Sequence, residues 1–341
     1  MAKSFIESSS SKQDLPFEVP LRPQCLDDFV GQEAIRERLE VLIGAAKQRE
    51  ETLGHCLFSG PPGLGKTTLA NILAKAMGTR LVVSSGPVIE KAGDLAGLLT
   101  SLQTGDVLFI DEIHRMSRAI EEYLYQAMED FTLDLMIDSG PNARSIQVKL
   151  NKFTLAGATT RLGLLSEPLR TRFAFTSRLN YYDPVTLQQI ILRTARILNL
   201  QLHPPEALEI AKRSRGTPRV ANHLLRWVRD FAQMRSNNVI DCQVVDQALT
   251  MLAIDHKGLD EMDKRMLEIM IDHYKGGPVG LNTIAASIGE EPSTIEEVYE
   301  PYLIMQGLLK RTPRGREVTE LGYQHLGKEA PQPLEKTNQL S

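Results

Sequence analysis

The sequence predicts an α/β fold: a parallel sheet flanked by helices, followed by a small helical lid domain and a C-terminal winged helix. Three observations carry this. Short apolar runs at 55–58, 80–83, 107–110 and 153–160 are separated by helix-length stretches, as in a parallel sheet with crossover helices. A glycine-rich loop stands between the first run and a stretch rich in Leu and Ala. After Asp183-Pro184 the strand-like runs give way to amphipathic helical patterns. These end in two helices, a turn and a basic Pro–Gly hairpin.

The totals set bounds. At 341 residues the chain holds two or three domains, each large enough for its own core. Lys and Arg total 39 against 43 Asp and Glu, a formal charge of −4. A mildly acidic chain is not a general polyanion binder, so any nucleic-acid contact has to come from a local patch or from assembly. Cys25, Cys56 and Cys242 are far apart and lack metal-ligand spacing, which points to free thiols. The absence of a signal-like segment or a membrane-length apolar run predicts a cytoplasmic protein.

Residues 1–20 are polar and read as a loose tail, and a helical pattern follows through Ile35, Leu39, Leu42 and Ile43. Gly60-Pro61-Pro62-Gly63-Leu64-Gly65-Lys66-Thr67 then matches every fixed position of the phosphate-binding loop of nucleoside triphosphatases. Its glycines let backbone amides turn inward around phosphate oxygens, and the helix N-terminus that follows adds partial positive charge. Lys66 is expected to reach the β- and γ-phosphates of ATP, and the Thr67 hydroxyl to hold Mg²⁺. Gly78 closes the helix.

Val107–Ile110 ends in Asp111-Glu112. Two carboxylates at the carboxyl end of a buried parallel strand lie where open α/β sheets bind ligands. Asp111 is expected to support Mg²⁺ and its waters, and Glu112 to polarise the attacking water. Residues 131–150 read as a β-hairpin: Phe131, Leu133, Leu135 and Ile137 alternate on one arm, Ile146, Val148 and Leu150 on the other, with Ser139–Asn142 as the turn. A long apolar hairpin inserted between core strands is expected to protrude and bind a partner. The strand at 153–160 ends in hydroxyls able to sense the γ-phosphate or the lytic water. Arg170 and Arg172 follow, where a ring-forming ATPase would offer an arginine to its neighbour's nucleotide.

Helical patterns then run from Leu187 to Leu200, from Pro204-Pro205, and from Gly216-Thr217-Pro218-Arg219. Arg219 at a helix start is disfavoured by the dipole there, and a bound anion would relieve it. From about Asp255 a winged helix is expected, with Ser293 capping a helix that runs to Met305 and Pro301 bending it. Its presumed recognition helix carries Glu296, Glu297 and Glu300, whereas Lys310, Arg311, Arg314 and Arg316 sit in the wing. That charge pattern predicts contact with the DNA backbone and no sequence preference.

These motifs resemble AAA+ ATPases. The likeness narrows with Leu21-Arg22-Pro23, the loop at 60–67, Asp111-Glu112-Ile113-His114, Gln126–Phe131, Gly157–Arg161, Gly216–Arg219 and Arg311–Arg316. Together they are similar to the bacterial motors that drive Holliday-junction branch migration in recombination and repair. The resemblance implies domains at 21–182 (ATPase), 183–254 (lid) and 255–327 (winged helix), with polar tails at 1–20 and 328–341. It implies a homohexameric ring on duplex DNA, working with a RuvA-type junction-binding protein and a RuvC-type resolvase. It also implies that Leu21, Arg22, Thr68, Glu129, Asp130, Phe131, Tyr182 and Pro218 join the loop residues in binding ATP. Thr160 would be the first sensor and Arg219 the second, with Arg172 as the trans-acting arginine finger and Arg170 its possible substitute. Ile146 and Val148 would meet the RuvA-type partner. Thr171 and Ala174 depart from the family pattern, which has an acid and a glycine there. The rival readings are a clamp-loader-type ATP switch and a protein-remodelling machine. The basic wing counts against the second rival.

Overall fold

A computed structural model describes residues 19–136 and 145–330. Ile137 and the predicted turn at 139–142 lie outside the described residues. The chain forms two compact units. Among the described residues, one comprises those up to Ile197 together with Gly216–Arg219, and the other Leu198–Arg215 together with 220–330.

The first unit is built on a five-stranded sheet. In chain order it contains α1 (Glu33–Gln48), β1 (Cys56–Ser59), α2 (Lys66–Met77), β2 (Leu81–Ser85), α3 (Ala92–Thr100), β3 (Val107–Asp111) and α4 (Arg118–Asp130). The hairpin β4 (Thr132–Met136) and β5 (Ser145–Lys149) comes next, then β6 (Thr154–Thr159), α5 (Glu167–Thr171), β7 (Phe175–Arg178) and α6 (Pro184–Ile197). The sheet order is β2-β3-β6-β1-β7, and every pairing is parallel. All residues of β1 and β6 are buried, as are Val107–Ile110 of β3. This is why these strands read as unbroken apolar runs: helices cover both faces of a parallel sheet. In register, Ser59 faces Thr159 and Ser85 faces Asp111, so the carboxyl ends of the strands share one rim.

The hairpin pairs Leu133 opposite Val148 and Leu135 opposite Ile146, so the alternating apolar residues of both arms share a face. Leu133 and Leu150 are buried at its base, whereas Ile146 is 49% exposed. Helices α3 and α4 cover the sheet with amphipathic faces. They form because Leu95 and Leu99 of α3, and Ile120 and Leu124 of α4, join the apolar cluster that also holds Leu108 and Leu155.

The second unit contains α7 (Pro204–Lys212), most of α8 (Pro218–Arg235) and α9 (Cys242–Met251), followed by α10 (Glu261–Tyr274) and α11 (Leu281–Ile288). The helix expected from Ser293 to Met305 is interrupted. A turn at Pro292–Thr294 leads to a π-helical segment, Ile295–Tyr299, and then to α12 (Glu300–Met305). Pro301 has no N–H to donate back to Glu297, and the helical ladder is re-registered by a wider turn just before it. Ser293 makes no cap. The preceding Glu291 occupies that position without a side-chain cap bond. Strands β8 (Leu309–Thr312) and β9 (Gly315–Val318) pair as the wing, Val279 bridges to Arg316, and α13 (Glu320–His325) closes the domain. Met266, Ile284, Tyr299, Leu303 and Leu309 lie in its core.

Candidate active site

The rim of the sheet gathers the predicted residues. Gly60 continues β1, and its N–H donates to Thr159 O at 3.1 Å. Its φ is 131°, and a Cβ there would fall 2.5 Å from Leu179 O, so only glycine fits. Gly63 (φ 78°) brings the loop against Arg219: a Cβ on Gly63 would lie 3.1 Å from Arg219 Cβ. Lys66 is the first residue of α2 and is buried. Its Nζ donates to Gly60 O at 2.7 Å and to Pro61 O at 2.8 Å. Thr67 is half-buried, Leu64 and Thr68 are buried, and Pro62 is exposed.

Burial holds the Lys66 ammonium down to about 8, against the opposing pull of Glu112 and Asp111. Phosphate favours the charged form. Binding a triphosphate above that pH therefore takes up a proton, and ATP affinity is expected to fall as pH rises through about 8. The limiting slope is about tenfold per pH unit. Nucleotide titrations between pH 7 and 9.5 measure this, and an affinity flat across that range would remove Lys66 as the phosphate partner.

Glu112 sits just past β3 in the left-handed region (φ 46°). Its Oε2 accepts a hydrogen bond from Thr160 Oγ1 at 3.0 Å. His114 Nδ1 lies 3.2 Å from the same oxygen and 2.9 Å from Thr159 Oγ1. Side chains at the ends of β3 and β6 thus hold one carboxylate in place. Burial, and then the neighbouring Glu112, push the Asp111 carboxyl above its usual range, although Glu112 N donates to Asp111 Oδ1 at 3.0 Å. Two crowded acids of this kind suit a divalent cation, which relieves their repulsion.

The remaining predicted residues separate into groups. Leu21 is buried, and its carbonyl accepts from Arg193 Nη1 at 2.8 Å. Arg22 is half-buried beside it in sequence. Tyr182 is buried and donates to Leu64 O of the loop at 3.2 Å. Pro218 opens α8, placing Arg219 in its first turn. Arg172 is exposed and lies on α4: Nη2 is 2.5 Å from Glu129 Oε2, and the guanidinium lies 5.8 Å from the Tyr125 ring centroid. Arg170 and Asp130 are exposed. Phe131 is half-buried. Its ring meets Phe153 edge-on at 5.9 Å and lies 6.3 Å from His55.

Two residues gain roles that the sequence does not announce. His114 stands inside a motif, but its contact with Thr159 spans 45 positions, and no local pattern reports it. The Gln32 amide donates to Asn180 O at 2.6 Å and accepts from Asn180 N at 3.2 Å, fastening the start of α1 to the chain beyond β7.

The wing departs from the simple expectation. Glu300 is fully buried, so it does not face a phosphate. Its Oε1 accepts from Arg311 Nε at 2.8 Å, and its Oε2 from Arg316 Nη2 at 3.0 Å. Arg311 and Arg316 stand directly opposite each other across the wing, a repulsive pairing that the shared buried carboxylate partly offsets, with Glu296 3.6 Å from Arg311 as well. Lys310 pairs with Glu317 at 2.8 Å. Arg314, at the wing tip, is exposed.

Three family models match the chain in succession: the Holliday junction DNA helicase RuvB P-loop domain over 21–179, the RuvB AAA lid domain over 182–255, and the RuvB C-terminal winged-helix domain over 256–327. The chain belongs to the RuvB family. A RuvB from Protochlamydia amoebophila, described as a Holliday junction branch migration complex subunit, is 80% identical over 326 residues, covering 96% of this chain and 98% of that protein. The RuvB of Chlamydia pneumoniae, described in the same words, is 58% identical over 318 residues, covering 93% and 94%. Among solved structures, a Thermotoga maritima RuvB described as a Holliday junction branch migration motor superposes with a TM-score of 0.84. It is 50% identical and covers 92% of this chain and 100% of that one. Aeropyrum pernix ORC2, with a TM-score of 0.53 and 15% identity, shares the fold alone. The expected architecture is thus the RuvB-family one: a P-loop parallel sheet with flanking helices, a lid and a winged helix.

Proposed function

We propose that this chain is an ATP-driven motor that moves Holliday junctions. It would act as a hexameric ring on duplex DNA, in the cytoplasm, with a RuvA-type partner that recognises the junction and a RuvC-type resolvase that follows. The observation that carries this reading is the shared rim, where Lys66 and Arg219 meet one glycine-rich loop and the Glu112–Thr160 pair stands at the ends of the neighbouring strands. The names of the relatives point to the same activity.

In the mechanism, Lys66 leaves the carbonyls of Gly60 and Pro61 for the β- and γ-phosphates. The loop amides and the α2 N-terminus hold the rest of the triphosphate. Glu112, oriented by Thr160 and His114, draws a proton from the attacking water. Thr160 then reports the loss of the γ-phosphate through the same carboxylate. The Thr67 hydroxyl and Asp111 carboxylate would hold Mg²⁺, which neutralises developing phosphate charge when bound. Arg172 is exposed and is held by a solvent-exposed pair with Glu129, not by the glycine-rich loop, which supports action on a neighbour's nucleotide. In this reading the exposed apolar Ile146 of the hairpin meets the RuvA-type partner.

The direct test is ATP-dependent resolution of a synthetic four-way junction, with and without a RuvA-type protein. Migration stimulated by the partner, and abolished in Ile146→Asp while ATPase without the partner persists, is the expected result. ATP turnover with no migration in the presence of an active partner would instead favour the clamp-loader-type switch.

The wing supplies a separate prediction. Arg314→Ala should lower the log–log salt slope of duplex binding by about 0.9 for each phosphate that the arginine neutralises, equally on two unrelated sequences. Arg316→Ala should instead lower thermal stability, by about 1–3 kcal/mol, because it strips a partner from buried Glu300. A salt titration and a melting curve of each variant distinguish the two roles. An unchanged slope for Arg314→Ala would remove the wing tip as a site of DNA binding.

A further inference from the structure

Arg215 immediately precedes the segment Gly216–Arg219, and its side chain turns into the winged-helix unit. It is 4% exposed and its partner Asp263 is fully buried. Arg215 Nη1 donates to Asp263 Oδ2 at 2.7 Å, and Nη2 donates to Val298 O at 3.2 Å. The guanidinium stacks 4.4 Å from the Tyr302 ring centroid. One side chain therefore grips three winged-helix elements: α10 through Asp263, the π-helical segment through Val298, and α12 through Tyr302.

The grip is itself braced. Asp263 is the third residue of α10 and completes a reciprocal cap with Asp260: Asp260 N donates to Asp263 Oδ2 at 3.1 Å, and Asp263 N to Asp260 Oδ1 at 2.9 Å. Gly258 packs so closely on the chain just before Arg215 that a Cβ would fall 2.8 Å from Arg213 O. Tyr302 Oη donates to Lys257 O.

Four residues after Arg215 comes Arg219, against Gly63 of the P-loop. Between them, Gly216 O accepts from Tyr182 N at 2.9 Å. A five-residue stretch thus has one end locked into the winged-helix domain and the other against the nucleotide loop. A buried ion pair is a poor device for stability, since well-packed apolar residues of similar volume do as well or better. Its merit is directional: a planar fork on a braced carboxylate permits one geometry, whereas an apolar contact can slide.

We propose that Arg215 is a positioning residue for mechanical coupling, making the winged helix move as one body with the segment that carries Arg219. A displacement of Arg219 when the nucleotide changes is then delivered to the winged helix without slack. This rests on the motor reading and on Arg219 sensing nucleotide.

The test measures ATP consumed per junction resolved, alongside DNA-free ATPase, duplex affinity and melting temperature, in the full-length protein with a RuvA-type partner. The double variant Arg215→Met with Asp263→Leu replaces the ion pair by apolar packing. It also gives up the cap bond from Asp260 N, so it should melt somewhat lower than the parent, yet still fold, bind duplex and hydrolyse ATP within about twofold of it, and consume about tenfold more ATP per junction resolved. Asp263→Asn, which keeps the shape and the helix cap, should show a smaller loss of the same kind. Arg215→Lys, which keeps charge without the fork, should fall between the parent and the double variant. Parental ATP consumption per junction in the double variant would overturn the proposal. So would a fall in migration that merely tracks a fall in ATPase. If the double variant does not fold, parental coupling in Asp263→Asn overturns it instead. Failure of the parent to move junctions would remove the motor reading itself.

Discussion

Glu112→Gln is expected to bind ATP with near-parental affinity and to turn it over about 10²–10⁴-fold more slowly. The amide keeps the size of the side chain, and its oxygen can still accept from Thr160 Oγ1, which lies 3.0 Å from the carboxylate. It cannot take a proton from water. The loop contacts of Lys66 lie elsewhere, so affinity should survive, whereas Lys66→Ala should weaken binding. Steady-state turnover paired with nucleotide titration measures both quantities. Unchanged turnover in Glu112→Gln would take Glu112 out of the catalytic assignment. His114→Ala provides a companion measurement. It leaves the carboxylate in place but removes the imidazole beside it, and turnover should fall with little change in affinity.

Arg172→Ala should lower turnover by about 10³–10⁵ if the arginine acts as a finger. The affinity of a subunit for its own nucleotide should change little, because Arg172 is held by Glu129 and Tyr125 on α4 and not by the loop. The pairing with Glu129 is exposed, so it is weak and a neighbour's γ-phosphate can displace it. The decisive measurement mixes Arg172→Ala subunits with Lys66→Ala subunits. Partial recovery of ATPase activity is expected, since an intact arginine then meets a neighbour's intact loop. No recovery in rings shown to be mixed would exclude action in trans, and the same mixing experiment on Arg170→Ala would then test the second arginine.

Much of this site was legible in the chain because its chemistry is local. Eight consecutive residues carry the loop, and Asp111-Glu112 directly follows a run of buried residues. A parallel sheet buried on both faces makes its strands apolar throughout, and their carboxyl ends necessarily share a rim. The alternation in the hairpin likewise set its register, because side chains on a strand repeat every second residue. By contrast, the lid and winged helix were separable as patterns, while their union through Arg215 and Asp263 was not. These two residues are 48 positions apart, and each alone reads as an ordinary surface charge.

The sequence by itself therefore determined the P-loop sheet, its order of strand, loop and helix, the acidic pair, the hairpin and the winged-helix pattern. Periodicity and short motifs are set within a few residues, where backbone geometry leaves few choices. The tertiary structure alone decided which charges are spent inside the protein. Glu300 looked like a solvent-facing acid on a helix, but it is buried and shared between Arg311 and Arg316. His114 looked like a motif residue without a task, but it meets Glu112 and Thr159. Arg172 looked free to reach a neighbour, but it rests on Glu129. In each case the partner comes from another element or from beyond the local pattern, and an ion pair depends on burial and distance, which no one-dimensional pattern encodes.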